Sequence, residues 1–98
     1  MLQLPQLAGA VDQSPTTITI NVTHDDRIIV GGSTTDQATL EGLVAREVVA
    51  KQGHPELVQV VMRVDRRCDC TLVNRILNGL KRVGIVRTRI AVEVPGAG

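Results

Sequence analysis

Few side chains in this 98-residue chain are equipped for covalent or metal chemistry. Cys68 and Cys70 flank Asp69, while His24 and His54 stand far from them in sequence. A thiol nucleophile needs a base within hydrogen-bond reach, and no spacing here pairs a cysteine with a histidine. Cysteines two residues apart rarely meet disulfide geometry. Zinc sites use CxxC-type spacings with further ligands, and Cys68-Asp69-Cys70 offers neither. Ser14 and Ser33 sit in turn-like contexts outside any Gly-x-Ser-x-Gly frame. Gly31-Gly32-Ser33 precedes a predicted helix and would admit an anion at its N-terminus. It lacks the GxGxxG and Walker patterns, and glycine serves equally to end a strand. No catalytic, cofactor-binding or metal-binding residue is assigned, and the chain reads as a non-enzyme.

Asp65 is the single residue most open to a functional reading. It follows an apolar strand and stands among Arg63, Arg66 and Arg67. An ion pair or a cap that orders the loop accounts for it without any partner. A partner contact at the C-terminal end of parallel strands, where open α/β sheets bind, accounts for it with one. The surrounding charge is uneven. Residues 1–62 carry three basic and seven acidic side chains, a balance of −4. Residues 63–89 carry eight basic and two acidic ones, a balance of +6. Such a basic half suits phosphate, anionic polymer or lipid head groups, or is a solvated helix face with strand-end arginines.

Composition excludes several function classes. The chain has no Phe, Trp or Tyr, so the base-stacking platforms of single-strand nucleic-acid binders are missing. Aromatic cages for methylated ammonium groups are missing too. No run reaches the roughly 18–20 apolar residues that cross a bilayer, and the N-terminus is not an intact signal peptide. A length of 98 residues with 43% apolar and 21% charged side chains fits one globular domain.

The elements that position these residues follow from hydrophobic periodicity. Residues 1–16, including Pro5, Gly9 and Pro15, read as a leader. Thr17 to Thr23 alternate strictly, the pattern of a half-buried strand. Arg27 to Gly31 form a second strand, joined by the His24-Asp25-Asp26 turn as a hairpin. Thr34 and Gln37 fit a capping box that opens a helix running to about Lys51. Leu40, Leu43, Val44 and Val48 share one of its faces, and Gly53 stops it. Leu57 to Val64 is a nearly continuous apolar run, as in a central strand buried on both faces. Thr71 to Val83 form the second helix, with Leu77 expected in the core and Gly84 as the stop. Arg87 to Val94 alternate as the last strand, and 96–98 form a tail.

The predicted order is β-β-α-β-α-β. Two right-handed crossovers put both helices on one face of a four-stranded mixed sheet, an α+β two-layer sandwich. The other face, with Thr17, Thr19, Asn21 and Thr23, is left open. An open face and two sheet edges favour self-association or strand addition by a partner peptide.

The stretch Val60-Val61-Met62-Arg63-Val64-Asp65-Arg66-Arg67, followed by Leu72-Val73, Ile76-Leu77, Leu80 and Val83-Gly84-Ile85, resembles the periplasmic domain of the ExbD/TolR family. Asp26 to Gly32 is similar to that family's second strand and turn, and Leu40 and Leu43 match its first helix. Leu4-Pro5 resembles the Leu-Pro that follows the membrane helix. The likeness runs from the leader to Val94 and lies in the order and spacing of weak motifs. Three positions depart: Asp26 replaces a turn glycine, Cys70 a common Tyr, and Cys68 a small apolar residue. Family members also carry a cytoplasmic N-terminus and one transmembrane helix with an essential Asp. Neither is present in the 98 residues, and Met1 reads as an added start.

The resemblance implies a periplasmic domain at 17–95 of a single-pass inner-membrane stator subunit. Such a subunit works with a multispan ExbB/TolQ-like partner and couples the proton gradient to a TonB- or TolA-like transducer. It also implies a homodimer and, in TolR-like members, peptidoglycan binding. Leu4, Pro5, Arg63, Asp65, Arg66, Arg67 and Cys70 are the expected partner contacts, and nucleic acid is not an expected partner. The competing reading is a free-standing α/β nucleic-acid-binding module, motivated by the basic C-terminal half.

Overall fold

A computed structural model describes residues 14–94. Strand β1 (Thr16–Val22) turns its β-branched Ile18, Ile20 and Val22 inward and leaves Thr17 and Thr19 exposed. The chain reverses through His24–Asp26, with Asp26 at φ 63. The Thr23 hydroxyl accepts the Arg27 amide at 3.0 Å and donates to the Asp25 carboxylate. Strand β2 (Ile28–Val30) then pairs antiparallel with β1.

The next segment departs from the sequence reading. Gly31 and Gly32 take φ 61 and 80, the two left-handed positions that a two-residue hairpin turn of type I′ requires. Ser33–Thr35 therefore form a further strand, β3, paired with β2 at Val30↔Ser33. The sheet has five strands rather than four. Thr34, expected in a helix cap, lies in that strand. The cap of helix α1 (Gln37–Ala50) is Asp36, whose carboxylate accepts the Thr39 amide at 2.7 Å.

Helix α1 buries Leu40 and Val44 and ends at Lys51, where the Gly53 amide closes on the Val48 carbonyl at 2.9 Å. A short 3-10 turn at Pro55–Leu57 leads into β4 (Val58–Asp65), parallel to β1. Helix α2 (Cys70–Arg82) is capped by Asp69 through the Thr71 amide at 2.9 Å. Gly84, at φ 98, completes its stop before β5 (Thr88–Glu93) runs parallel to β4.

The strand order is β3-β2-β1-β4-β5. One core joins Ile18, Ile20, Val22, Val60, Met62 and Val64 of the sheet to Leu40, Val44, Ile76 and Leu80 of the helices. Both helices thus cover the same face. Strand β4 is central by pairing but buried on that face alone: Gln59 and Arg63 are exposed between buried neighbours. Its apolar run misled because Val61, half-buried, is the one aliphatic residue it presents to the open side. Leu77 packs on the rim of the core rather than within it, since Ile76 and Leu80 occupy the inward face of α2.

Candidate partner-contact site

The parallel strands β1, β4 and β5 end on one side of the molecule, and the turns that follow them meet there. Asp65 closes β4. Its Oδ1 accepts the Arg67 backbone amide at 2.9 Å and Arg67 Nε at 3.1 Å, and its Oδ2 accepts Arg67 Nη2 at 2.9 Å. The Cys68 amide donates to the Asp65 carbonyl at 2.8 Å, completing a tight turn. The Arg67 guanidinium and then the Arg67 amide hold the Asp65 carboxyl down to about 2. The same carboxylate holds the Arg67 guanidinium in its charged form.

Arg67 also spans to the β1–β2 turn, with Nη2 3.5 Å from His24 Nδ1. A second contact joins the same segments, the Cys68 thiol 3.9 Å from Asp26 Oδ1. Burial, followed by the nearby carboxylates of Asp26 and Asp69, pushes the Cys68 thiol up from its ordinary value. A thiol so placed is protonated at neutral pH and is a poor nucleophile. Cys70 is exposed as the first residue of α2. Among the described residues no group of three His, Cys, Asp or Glu side chains is placed to hold a metal ion.

Arg63 lies on the open face and reaches across to β5, its Nη2 2.9 Å from Glu93 Oε1. The register sets Asp65 beside Glu93, so two neighbouring carboxylates are each neutralised by a different arginine. The Arg66 amide donates to the Glu93 carbonyl at 3.0 Å, while its side chain projects into solvent. A shallow cavity of about 330 Å³ lies against this cluster, lined by Asn21, His24, Asp25, Arg63, Asp65 and Glu93.

The structure therefore brings Arg63, Asp65, Arg66 and Arg67 together and places Cys70 nearby in sequence, without a polar contact to them. Leu4 and Pro5 lie outside the described residues. Glu93 and His24 complete the cluster and were not legible as part of it. Glu93 follows from the β4–β5 register, but nothing in the sequence signals that His24 meets Arg67. The ion pairs consume most of the cluster's charge internally.

Beside that cluster runs the free edge of the sheet. The other edge, β3, is three residues long and polar, the form that resists pairing. Strand β5 offers six residues with no neighbour on its outer side among the described strands. Ile90 and Val92 stand on its helix-facing side, 45% and 63% exposed. An apolar unpaired edge of this kind is a template for strand addition.

Comparison with known proteins adds one match. A family model described as biopolymer transport protein ExbD/TolR covers residues 1–94. No curated protein matches the chain.

Proposed function

Because this chain belongs to the ExbD/TolR family, we propose that it is the periplasmic, partner-binding part of an inner-membrane stator subunit. In this reading a multispan ExbB/TolQ-like subunit forms the proton path with the rest of the protein. The domain then meets a TonB- or TolA-like transducer and passes mechanical work to it. It performs no bond chemistry of its own.

The observation that carries the reading is the open β5 edge, with Ile90 and Val92 exposed along it. A strand edge binds extended backbone by main-chain hydrogen bonds and reads alternate side chains in the partner. A second copy of the chain and an extended transducer segment are both fitting occupants, so the reading includes a homodimer. The Asp65–Arg67 turn adjoins the same edge through Arg66 and Glu93. It would fix the position of whatever pairs there. Peptidoglycan is a further proposed ligand, supported by the excess of basic side chains in residues 63–89.

The test is isolation of the product of the native gene from its own cells in mild detergent. A stator subunit is recovered from the membrane fraction with a multispan partner at fixed stoichiometry. Recovery alone, in the soluble fraction, would sink the proposal.

A further inference from the structure

The end of the molecule opposite the Asp65 cluster has a chemistry of its own. Strands β1, β4 and β5 are mutually parallel, and α1 and α2 carry the chain back between them. The C-termini of both helices and the starts of all three strands consequently share one end. The connections after α1 and α2 touch there, since a Cβ on Gly84 would sit 3.4 Å from Pro55 Cβ. Ser14 is held at the same end, its carbonyl accepting Lys51 Nζ at 2.8 Å. The described chain therefore enters the domain at this end.

Two features coincide on it. Val49, in the last turn of α1, and Val86, ahead of β5, are the two most exposed large aliphatic side chains described, at 73% and 79%. Lys81, Arg87 and Arg89 stand at the same end, and among the described residues none has a carboxylate within salt-bridge distance. Arg87 and Arg89 border an open groove of about 1030 Å³ together with Val86. The groove's own acid, Glu56, is paired with His54 at 3.0 Å. Glu47, in the last turn of α1, is the other acid at this end; strand ends and helix caps place Asp25, Asp26, Asp36, Asp65, Asp69 and Glu93 at the far end. Among the described residues the two ends thus differ: the end where the chain enters at Ser14 carries unpaired cations beside exposed valines, whereas at the end of β4 the acids are largely matched by Arg27, Arg63 and Arg67.

We infer that this cationic end docks on a surface of anionic lipid headgroups, with Lys81, Arg87 and Arg89 meeting phosphate and Val49 and Val86 entering the headgroup layer. The inference rests on the membrane-tethered reading above. In that reading the chain comes to Ser14 from the membrane side, so this end of the domain is the one that faces the bilayer. Basic side chains near an anionic bilayer add attraction that falls off within a Debye length. The two valines favour lipid over a soluble polyanion, which offers them nothing to bury against.

The test is co-sedimentation of the 98-residue chain with vesicles of phosphatidylglycerol and phosphatidylcholine, against vesicles of phosphatidylcholine alone. The inference predicts retention by the anionic vesicles only, weakening as salt is raised. Arg87→Gln with Arg89→Gln should lower the binding constant about 25-fold, about fivefold per charge. Val49→Gln with Val86→Gln should lower it while keeping the salt dependence of the wild type. Circular dichroism melting checks that each variant is folded. Absence of retention at low salt, or equal retention of the arginine variant, overturns the inference. Wild-type retention of the valine variant, with full displacement by dextran sulfate, assigns the site to soluble polyanions and also overturns it. No channel or transducer subunit takes part, so failure here leaves the stator reading to its own co-purification test.

Discussion

The contact between the two helices turns on one glycine, and replacing it gives a prediction whose sign depends on the geometry. Gly79 is buried in α2, and the Glu41 carboxylate of α1 lies over it. A Cβ at position 79 would overlap Glu41 Oε2 and come within 2.7 Å of Cδ and 3.1 Å of Cγ. The carboxylate would have to withdraw from Gln37 Nε2, now at 2.9 Å, and from Arg82 Nη2, now at 3.0 Å. Helix propensity alone makes Gly→Ala favourable by about 1 kcal/mol. The lost hydrogen bond and half-exposed ion pair cost roughly 1–2 kcal/mol together, and crowding between the helices adds about 1–2 more. Gly79→Ala should therefore destabilise the domain by roughly 1–3 kcal/mol net, lowering Tm by about 5–25 °C. In a Glu41→Ala background the obstruction is gone, and the same substitution should stabilise by about 1 kcal/mol. The assay is urea unfolding of the four proteins of this double-mutant cycle. Equal stabilisation by Gly79→Ala in both backgrounds would refute the reasoning, because it would mean that Glu41 does not occupy the space above the glycine.

Three further outcomes follow from the described geometry. Leu80→Ala, at a fully buried position, should cost about 2–5 kcal/mol and Leu77→Ala, on the core's rim, about half as much; equal urea midpoints would show α2 to be rotated. Asp65 has a folded pKa of about 2, below its ordinary value of 3.8, so its contribution to stability is complete above the unfolded value and disappears as pH falls through about 2. An NMR titration of its carboxyl carbon should show that low midpoint, and a midpoint near the ordinary carboxylate range would contradict the triple contact with Arg67. Gly31→Ala should cost about 1 kcal/mol at its left-handed position, whereas Gly31→Asn, a residue that visits this region, should cost less; thermal melts of the two variants decide it.

Much of this architecture is legible in the sequence because hydrophobic period and punctuation agree. The alternation at Thr17–Thr23, the stripe of α2 and the stops at Gly53 and Gly84 place four strands and both helices within a few residues. The fifth strand escaped because Gly-Gly reads equally as a strand end and as a hairpin turn. Only pairing of Ser33–Thr35 with β2 distinguishes the two. The same ambiguity moved the cap of α1 from Thr34 to Asp36. The apolar run of β4 suggested two covered faces, yet both crossovers lie on one side, which topology decides and local pattern does not. At the candidate site, Asp65 and its arginines were legible as a charge cluster. That Arg67 rather than Arg66 takes the carboxylate depends on the turn geometry after β4. The His24 and Glu93 contacts depend on segments dozens of residues away. The cations at the other end, unpaired among the described residues, were likewise hidden, because residues 63–89 split between the two ends once folded.

In the proposed role the β5 edge, on a membrane-tethered stator, receives a partner under the proton gradient. The most direct measurement is photocrosslinking in living cells from a photoreactive amino acid at Val92, exposed on that edge. That role predicts a crosslink to a TonB- or TolA-like transducer, or to a second copy of the chain, whose yield changes when a protonophore collapses the gradient. A crosslink to neither, or a yield indifferent to the gradient, would contradict it.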